Sequence, residues 1–201
     1  MSILRNIELR MAMDRALTEG GAAGDWRLDP VRTGVWFRAK AFWGLRTANG
    51  TFQSVSGTGK VTPDGLICGT VAIRADSVAT GRAGWDRRLR SRNLFDVDGH
   101  PELVLTVASG DRIGNGRLLL TAEVTVAGTT SPVFMNAEVA LLDDTDVQLL
   151  VDFVVSRSAL GLGWNRFGLI GNKVHVQASV HFSLAEAMRA GAVGRLDAEA
   201  A

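Results

Sequence analysis

Cysteine occurs once in the 201 residues, at Cys68, so the chain can form neither an intrachain disulfide nor a cysteine-built metal cluster. Nothing in that usage calls for an oxidising compartment. Charge of one sign is also missing: 22 Lys+Arg stand against 21 Asp+Glu, a net charge of +1. That balance excludes nucleic-acid binding through net charge alone. No apolar stretch approaches the ~20 residues that cross a bilayer. Arg5, Glu8, Arg10, Asp14 and Arg15 interrupt the first residues and leave no apolar signal-peptide core. We therefore expect a cytoplasmic chain with no transmembrane segment and no nucleic-acid partner.

Recognisable catalytic and metal motifs are missing as well. There is no Gly-x-Ser-x-Gly elbow and no H-E-x-x-H pair. His175 and His181 fall on one face of a strand, but six residues at ~3.3 Å each hold them ~20 Å apart, too far to share a metal. His100, beside Pro101, reads as a turn residue. Gly57-Thr58-Gly59-Lys60 lacks P-loop spacing, and Gly161-Leu162-Gly163 lacks the strand, turn and helix of a dinucleotide fingerprint, so both read as turn glycines. No catalytic residue, metal ligand or cofactor is assigned.

What is present is apolar, 46% of the residues, in a chain long enough to bury about 70% of its extended surface. Residues 1–24 read as an N-terminal extension, helical to Leu17 and then hinged by Gly20, Gly21 and Gly24, lying on the surface or at a dimer contact. From Trp26 the pattern changes to period two. Val35, Phe37, Ala39 and Ala41 alternate with Trp36, Arg38, Lys40 and Phe42. Seven further runs follow: Thr51 to Lys60, Leu66 to Ala75, Leu103 to Ser109, Arg117 to Val126, Val133 to Leu142, Val147 to Val155 and Lys173 to Leu184. Thr62-Pro63-Asp64-Gly65, Gly110-Asp111, Gly114-Asn115-Gly116 and Asp143-Asp144-Thr145-Asp146 supply turn chemistry between them, so neighbours are antiparallel. Asp76 to Pro101 is longer and contains one short helix within Ala83 to Asn93. The expected fold is all-β, an eight-stranded antiparallel up-and-down barrel with that helix between strands, which leaves no exposed sheet edge. The barrel spans 25–185, and an Ala-rich tail covers 186–201.

An eight-stranded barrel holds its own side chains or one small ligand. Trp36, Phe42 and Trp43 end the first strand, while Trp164 and Phe167 precede the last. Closure brings those strands together, so the two groups either ring one mouth or plug it. The densest charge cluster is Arg82, Arg87, Arg88, Arg90 and Arg92 around Asp86. It reads either as a phosphate or headgroup contact, through Arg87, Arg88 and Arg90, or as a solvated face with internal Asp–Arg pairs.

Several runs together resemble the YceI-like family. They are Trp26-Arg27-Leu28-Asp29-Pro30, Val35 to Lys40, Thr80-Gly81, Asp86 to Ser91, Leu94-Phe95-Asp96-Val97 and His100-Pro101. Gly128-Thr129-Thr130-Ser131-Pro132-Val133, Ser156-Arg157-Ser158 with Gly161, and Gly171 with Val174 extend the likeness to about Leu184. The resemblance implies a lipocalin-like barrel, often dimeric, whose apolar tunnel binds a polyisoprenoid or a quinone-like or fatty-acyl lipid. With the alternation above it makes Val35, Phe37, Ala39, Ala41, Leu103, Leu105 and Phe153 candidate ligand contacts, together with Phe95 and the aromatics Phe42, Trp43, Trp164 and Phe167. The chain departs from the family pattern at Ala41, where a His is usual, at Ala159-Leu160, where an acidic-aromatic pair is usual, and at Leu94, where a repeated Phe is usual. The expected function is non-catalytic binding, transport or storage of an apolar lipid. The alternatives are a cyclase or isomerase acting in the same cavity, and an interaction module with a filled barrel that docks a partner through the arginine helix.

Overall fold

The computed structural model describes residues 3–41, 45–163 and 170–185. Phe42, Trp43, Trp164, Phe167 and the tail 186–201 lie outside them. Helix α1 (Ile3–Thr18) comes first, followed by β1 (Gly24–Leu28), β2 (Gly34–Ala41), β3 (Arg46–Phe52), β4 (Val55–Val61) and β5 (Ile67–Arg74). A 3-10 turn (Ala75–Ser77), β6 (Val78–Ala79) and helix α2 (Ala83–Arg90) make the expected excursion. Then come β7 (Glu102–Gly114), β8 (Arg117–Val126), β9 (Thr129–Asp143), β10 (Asp146–Ser156) and β11 (Ile170–Leu184).

These strands form a closed antiparallel barrel of eight staves. β1 and β2 are two lengths of one stave, both paired to β11, with Trp26 opposite Leu184 and Val35 opposite Ala178. β3 and β4 are likewise one stave, paired to the first along its length, with Val35 opposite Phe52 and Gly24 opposite Val61. From β4 the ring runs through β5, β7, β8, β9 and β10 to β11, which closes it on β1. The far edge of β3 is paired only at Thr51 and Phe52, to the short β6. The excursion carrying α2 lies over that opening.

The alternation read from the sequence is the alternation of the wall. In β8, Leu118, Leu120 and Ala122 are buried while Arg117, Leu119 and Glu123 face out, and in β9 Val133, Met135, Ala137 and Val139 point in. Each buried Leu, Val or Met among them contributes about 1.5–3 kcal/mol relative to exposure. Trp36 falls on the outer face and lies against Gly34. It is not a mouth residue.

Several glycines expected at turns sit in strands. Gly57 and Gly59 belong to β4, and Gly110-Asp111 lies inside β7. The requirement there is space rather than a positive φ. A Cβ on Gly57 would meet the Thr70 carbonyl oxygen at 2.8 Å, and one on Gly110 would meet Leu120 Cδ2 at 2.9 Å. Gly161 is a true turn glycine, with φ of 68°.

The N-terminal segment also departs from expectation. Sixteen residues without Gly or Pro form α1, and Gly20, at φ 75°, follows its end. Met13 and Leu17, one turn apart, join the core, while Ile7 and Met11 face outward. Arg10 pairs with Glu138, the Gly116 N–H donates to the Asp14 carboxylate at 3.0 Å, and Arg112 donates to Thr18 Oγ1. The helix is thus fastened across one end of the barrel. Its apolar residues are spread around the axis, so no single stripe announced the buried side.

At the break between β1 and β2, Arg32 bonds Asp29 at 2.7 Å and Asp146 at 3.0 Å, with Ser183 in the same cluster. The Arg32 hydrogen bond holds the Asp146 carboxyl below its ordinary 3.8. Burial pushes Asp29 up, but hydrogen bonds from Arg32 and from the Val31 and Arg32 N–H groups outweigh it and leave that carboxyl low too. Burial, then the Arg32 charge, holds His181 below 6.5. All three folded-state values lie below the unfolded ones, so each stabilises the fold fully above its unfolded value and less as pH falls through it. In melts followed by circular dichroism, Tm is expected to be level above pH 6.5, to decline gently below it, and to fall steeply once pH drops below 3.8. Asp146→Asn is expected to lower Tm at pH 7 and flatten the acid limb; an unchanged limb would refute the assignment.

Candidate ligand-binding site

The inward side chains leave a cavity of about 490 Å³ along the barrel interior. Of the candidate contacts, Val35, Phe37, Ala39, Phe95, Leu103, Leu105 and Phe153 all line it. Ala41 ends β2 opposite Arg46 and Ile170. Phe37 and Phe52 lie 5.4 Å apart between ring centroids, and Phe52 lies 6.0 Å from Phe95, both tilted, so a chain of three rings crosses the upper cavity. Space for the first ring comes from Gly50, where a Cβ would stand 2.3 Å from Phe37 Cζ. Leu94 and Leu160, which depart from the family pattern, are both buried and line the cavity.

The two ends differ in chemistry. At one, Met13 of α1 meets Trp26, Leu118, Met135 and Val139, all buried, and the Trp26 indole N–H is satisfied by the Ala22 carbonyl at 3.0 Å. At the other, beside the open edge of β3, the lining is Arg46, Thr47, Asn49, Thr80 and Arg82 with Trp85. Arg157 also lines the cavity and is 7% exposed. It donates to the Leu162 carbonyl at 2.8 Å and the Ile170 carbonyl at 3.3 Å, so it holds the connection into β11. Burial lowers its pKa. Among the described lining residues there is no Asp, Glu or His. The described residues hold no cluster of His, Cys, Asp and Glu that could bind a metal, and no helix among them is long and apolar enough to cross a membrane.

Arg87, Arg88 and Arg90 do not line the cavity. Arg87 and Arg88 lie with Gly84, Ser91 and Asn93 along a separate groove on α2. Arg90 turns inward and donates to the Val78 carbonyl at 2.9 Å. The internal Asp–Arg pairing expected there is replaced by Thr80, whose N–H and hydroxyl both bond Asp86, at 2.8 and 2.6 Å. That bond docks the start of α2 on β6. Of the arginine cluster read from the sequence, Arg82 lines the cavity. Arg46 escaped the reading of charge because it stands alone in the chain, and the Ser156-Arg157-Ser158 run drew notice only through the resemblance. Met13 carried no signal.

A closed eight-stranded antiparallel barrel with a largely apolar interior is a lipocalin-like fold. The chain belongs to the YceI-like family, whose domain model matches residues 26–182. The UPF0312 protein plu2095 of Photorhabdus laumondii is 34% identical over 68 residues, 34% of this chain and 35% of that protein. The matched stretch is thus about a third of that relative's length. Among solved structures, Burkholderia cenocepacia BcnA superposes with a TM-score of 0.70 at 16% identity, covering 77% of this chain and 98% of that one. A polyisoprenoid binding domain from Saccharophagus degradans, implicated in plant cell wall breakdown, gives 0.66 at 18% identity, over 79% and 98%. The Campylobacter jejuni YCEI protein gives 0.60 at 18% identity, over 68% and 85%. At these identities the likeness supports the fold.

Proposed function

We propose that the protein binds one lipid chain in the barrel and carries or stores it without chemical change. The observation that carries this reading is the 490 Å³ cavity, lined mostly by apolar side chains, with Arg46, Arg82 and Arg157 among its polar groups. A ligand pocket of that kind takes an amphiphile tail first and leaves its head among the polar groups. Each buried methylene contributes ~0.8 kcal/mol, so micromolar affinity, about 8 kcal/mol, takes about 15 carbons once the smallest association cost of ~4 kcal/mol is met. The family and the polyisoprenoid binding domain of Saccharophagus degradans support an isoprenoid or comparable tail.

Arg46, Arg82 and Arg157 line the cavity, and guanidinium forks favour a carboxylate or phosphate head over a cationic one. A cyclase or isomerase would need a proton donor or acceptor in the cavity that titrates near neutrality, and no described lining residue favours that reading. The Arg87–Arg88 groove is open to a headgroup or phosphate only outside the cavity, so the described geometry gives it no part in holding the tail.

Mass spectrometry of the organic extract of protein purified from its own host tests the proposal, with heat-denatured protein as the release control. The expected result is one lipid per barrel. Protein that comes out empty and then takes up no added fatty acid or isoprenoid would overturn it.

A further inference from the structure

The lipid-binding reading leaves the length of the tail open, and the closed end of the barrel fixes it. Gly161 approaches the Thr129 side chain at the start of β9, near the polar end. Val139, ten residues on, donates to the Gly116 carbonyl beside Arg10 of α1. Ten strand residues at ~3.3 Å, tilted by the 35–45° usual in barrels, put roughly 25 Å between the two levels. Without α1 the barrel would be open at that second level. With it, Met13 stands in the lumen against Trp26 and Met135, 4% exposed, on a helix held by Arg10, Asp14 and Thr18.

We propose that Met13 is the floor against which the end of the tail abuts, so that α1 gauges ligand length. This rests on the lipid-binding reading. Helix α1 precedes the stretch 26–182 that the family model matches, so the gauge belongs to this chain's own N-terminal segment. Methionine suits the position: its unbranched thioether adapts to the end of a chain while filling the gap beneath it.

The test is displacement of an apolar fluorescent dye by saturated fatty acids of about 10 to 22 carbons, each below its aggregation concentration, from the full-length protein. Affinity is expected to rise about fourfold per carbon, the worth of one buried methylene, and to stop rising at one chain length within that series. Met13→Ala, which deletes the last three heavy atoms of the side chain, is expected to move that break up by two to three carbons. Met13→Trp is expected to move it down, keeping the affinity for the shortest acids while losing at least tenfold for the acid at the wild-type break. The retained binding of short acids shows that the Trp variant is folded, so the proposal stays testable if the Ala variant is unstable. A break that stays in place in the folded variant or variants, or affinity that climbs without a break through the longest acid, overturns the gauge and leaves lipid binding standing. Failure of every acid and of added isoprenoids to displace the dye from the wild-type protein overturns the lipid-binding reading, and the gauge with it.

Discussion

Replacing Arg157 with leucine is expected to cost about 2–4 kcal/mol of stability and to weaken the preference for anionic heads. The guanidinium is 7% exposed and bridges the Leu162 and Ile170 carbonyls across the connection into β11. Hydrogen bonds to a charged donor are worth about 1.5–3 kcal/mol each, and carbonyls left without partners in a buried setting lose their solvation as well. Removing a buried charge returns part of that cost, which keeps the net below the sum. Urea denaturation reads the stability. Head selectivity is read as the affinity ratio of a fatty acid to the alcohol of the same length, expected to be about tenfold in the wild-type protein from one additional charge-assisted hydrogen bond. In Arg157→Leu the ratio should fall towards what Arg46 and Arg82 supply, whereas Arg157→Lys, with a charge but no fork, should retain more of it. A ratio unchanged in the leucine variant would show that the head is read by Arg46 and Arg82 or not at all.

The barrel was legible because its staves carry a period-two pattern strong enough to survive interruption. All eight expected runs lie on the eight staves, including the first two, which are each broken into a pair of shorter strands. What escaped was the use of glycine for volume. Gly57 and Gly110 look like turn residues in one dimension, because a sequence shows that a side chain is missing but not what approaches the gap. The approach of the Thr70 carbonyl to Gly57 exists only once β4 and β5 pair.

The site was legible in its walls and not at its ends. Val35, Phe37, Ala39, Leu103, Leu105 and Phe153 follow from which face of each strand points inward. The ends are made by segments that are not strands, so no alternation reports on them. The arginine run on α2 is the densest charge in the sequence, yet Arg87 and Arg88 lie outside the cavity and Arg90 secures β6. The cations that line the cavity come from separate elements, Arg46 from β3, Lys60 from β4, Arg82 from the turn before α2 and Arg157 from just after β10. Proximity in sequence marked the run from Arg82 to Arg92, of which the cavity lining takes Arg82.

Ala39→Trp is expected to abolish lipid binding, by at least about a hundredfold, while leaving the barrel folded. Ala39 is buried on β2, between Ala48 of β3 and Val174 of β11, and its methyl group faces the cavity. An indole there extends into space that is now empty, so overpacking should cost no more than the ~1–3 kcal/mol usual for a larger core residue. Excluding four methylenes alone removes about 3 kcal/mol of tail burial, equivalent to roughly two hundredfold in affinity. Phe134, 70% exposed on the outer wall of β9, is the control: Phe134→Ala should leave binding unchanged. Dye displacement and a thermal melt on both variants separate loss of the cavity from loss of the fold. Wild-type affinity in a folded Ala39→Trp protein would place the ligand outside the barrel. Loss of binding with the melt preserved would place its tail beside Ala39.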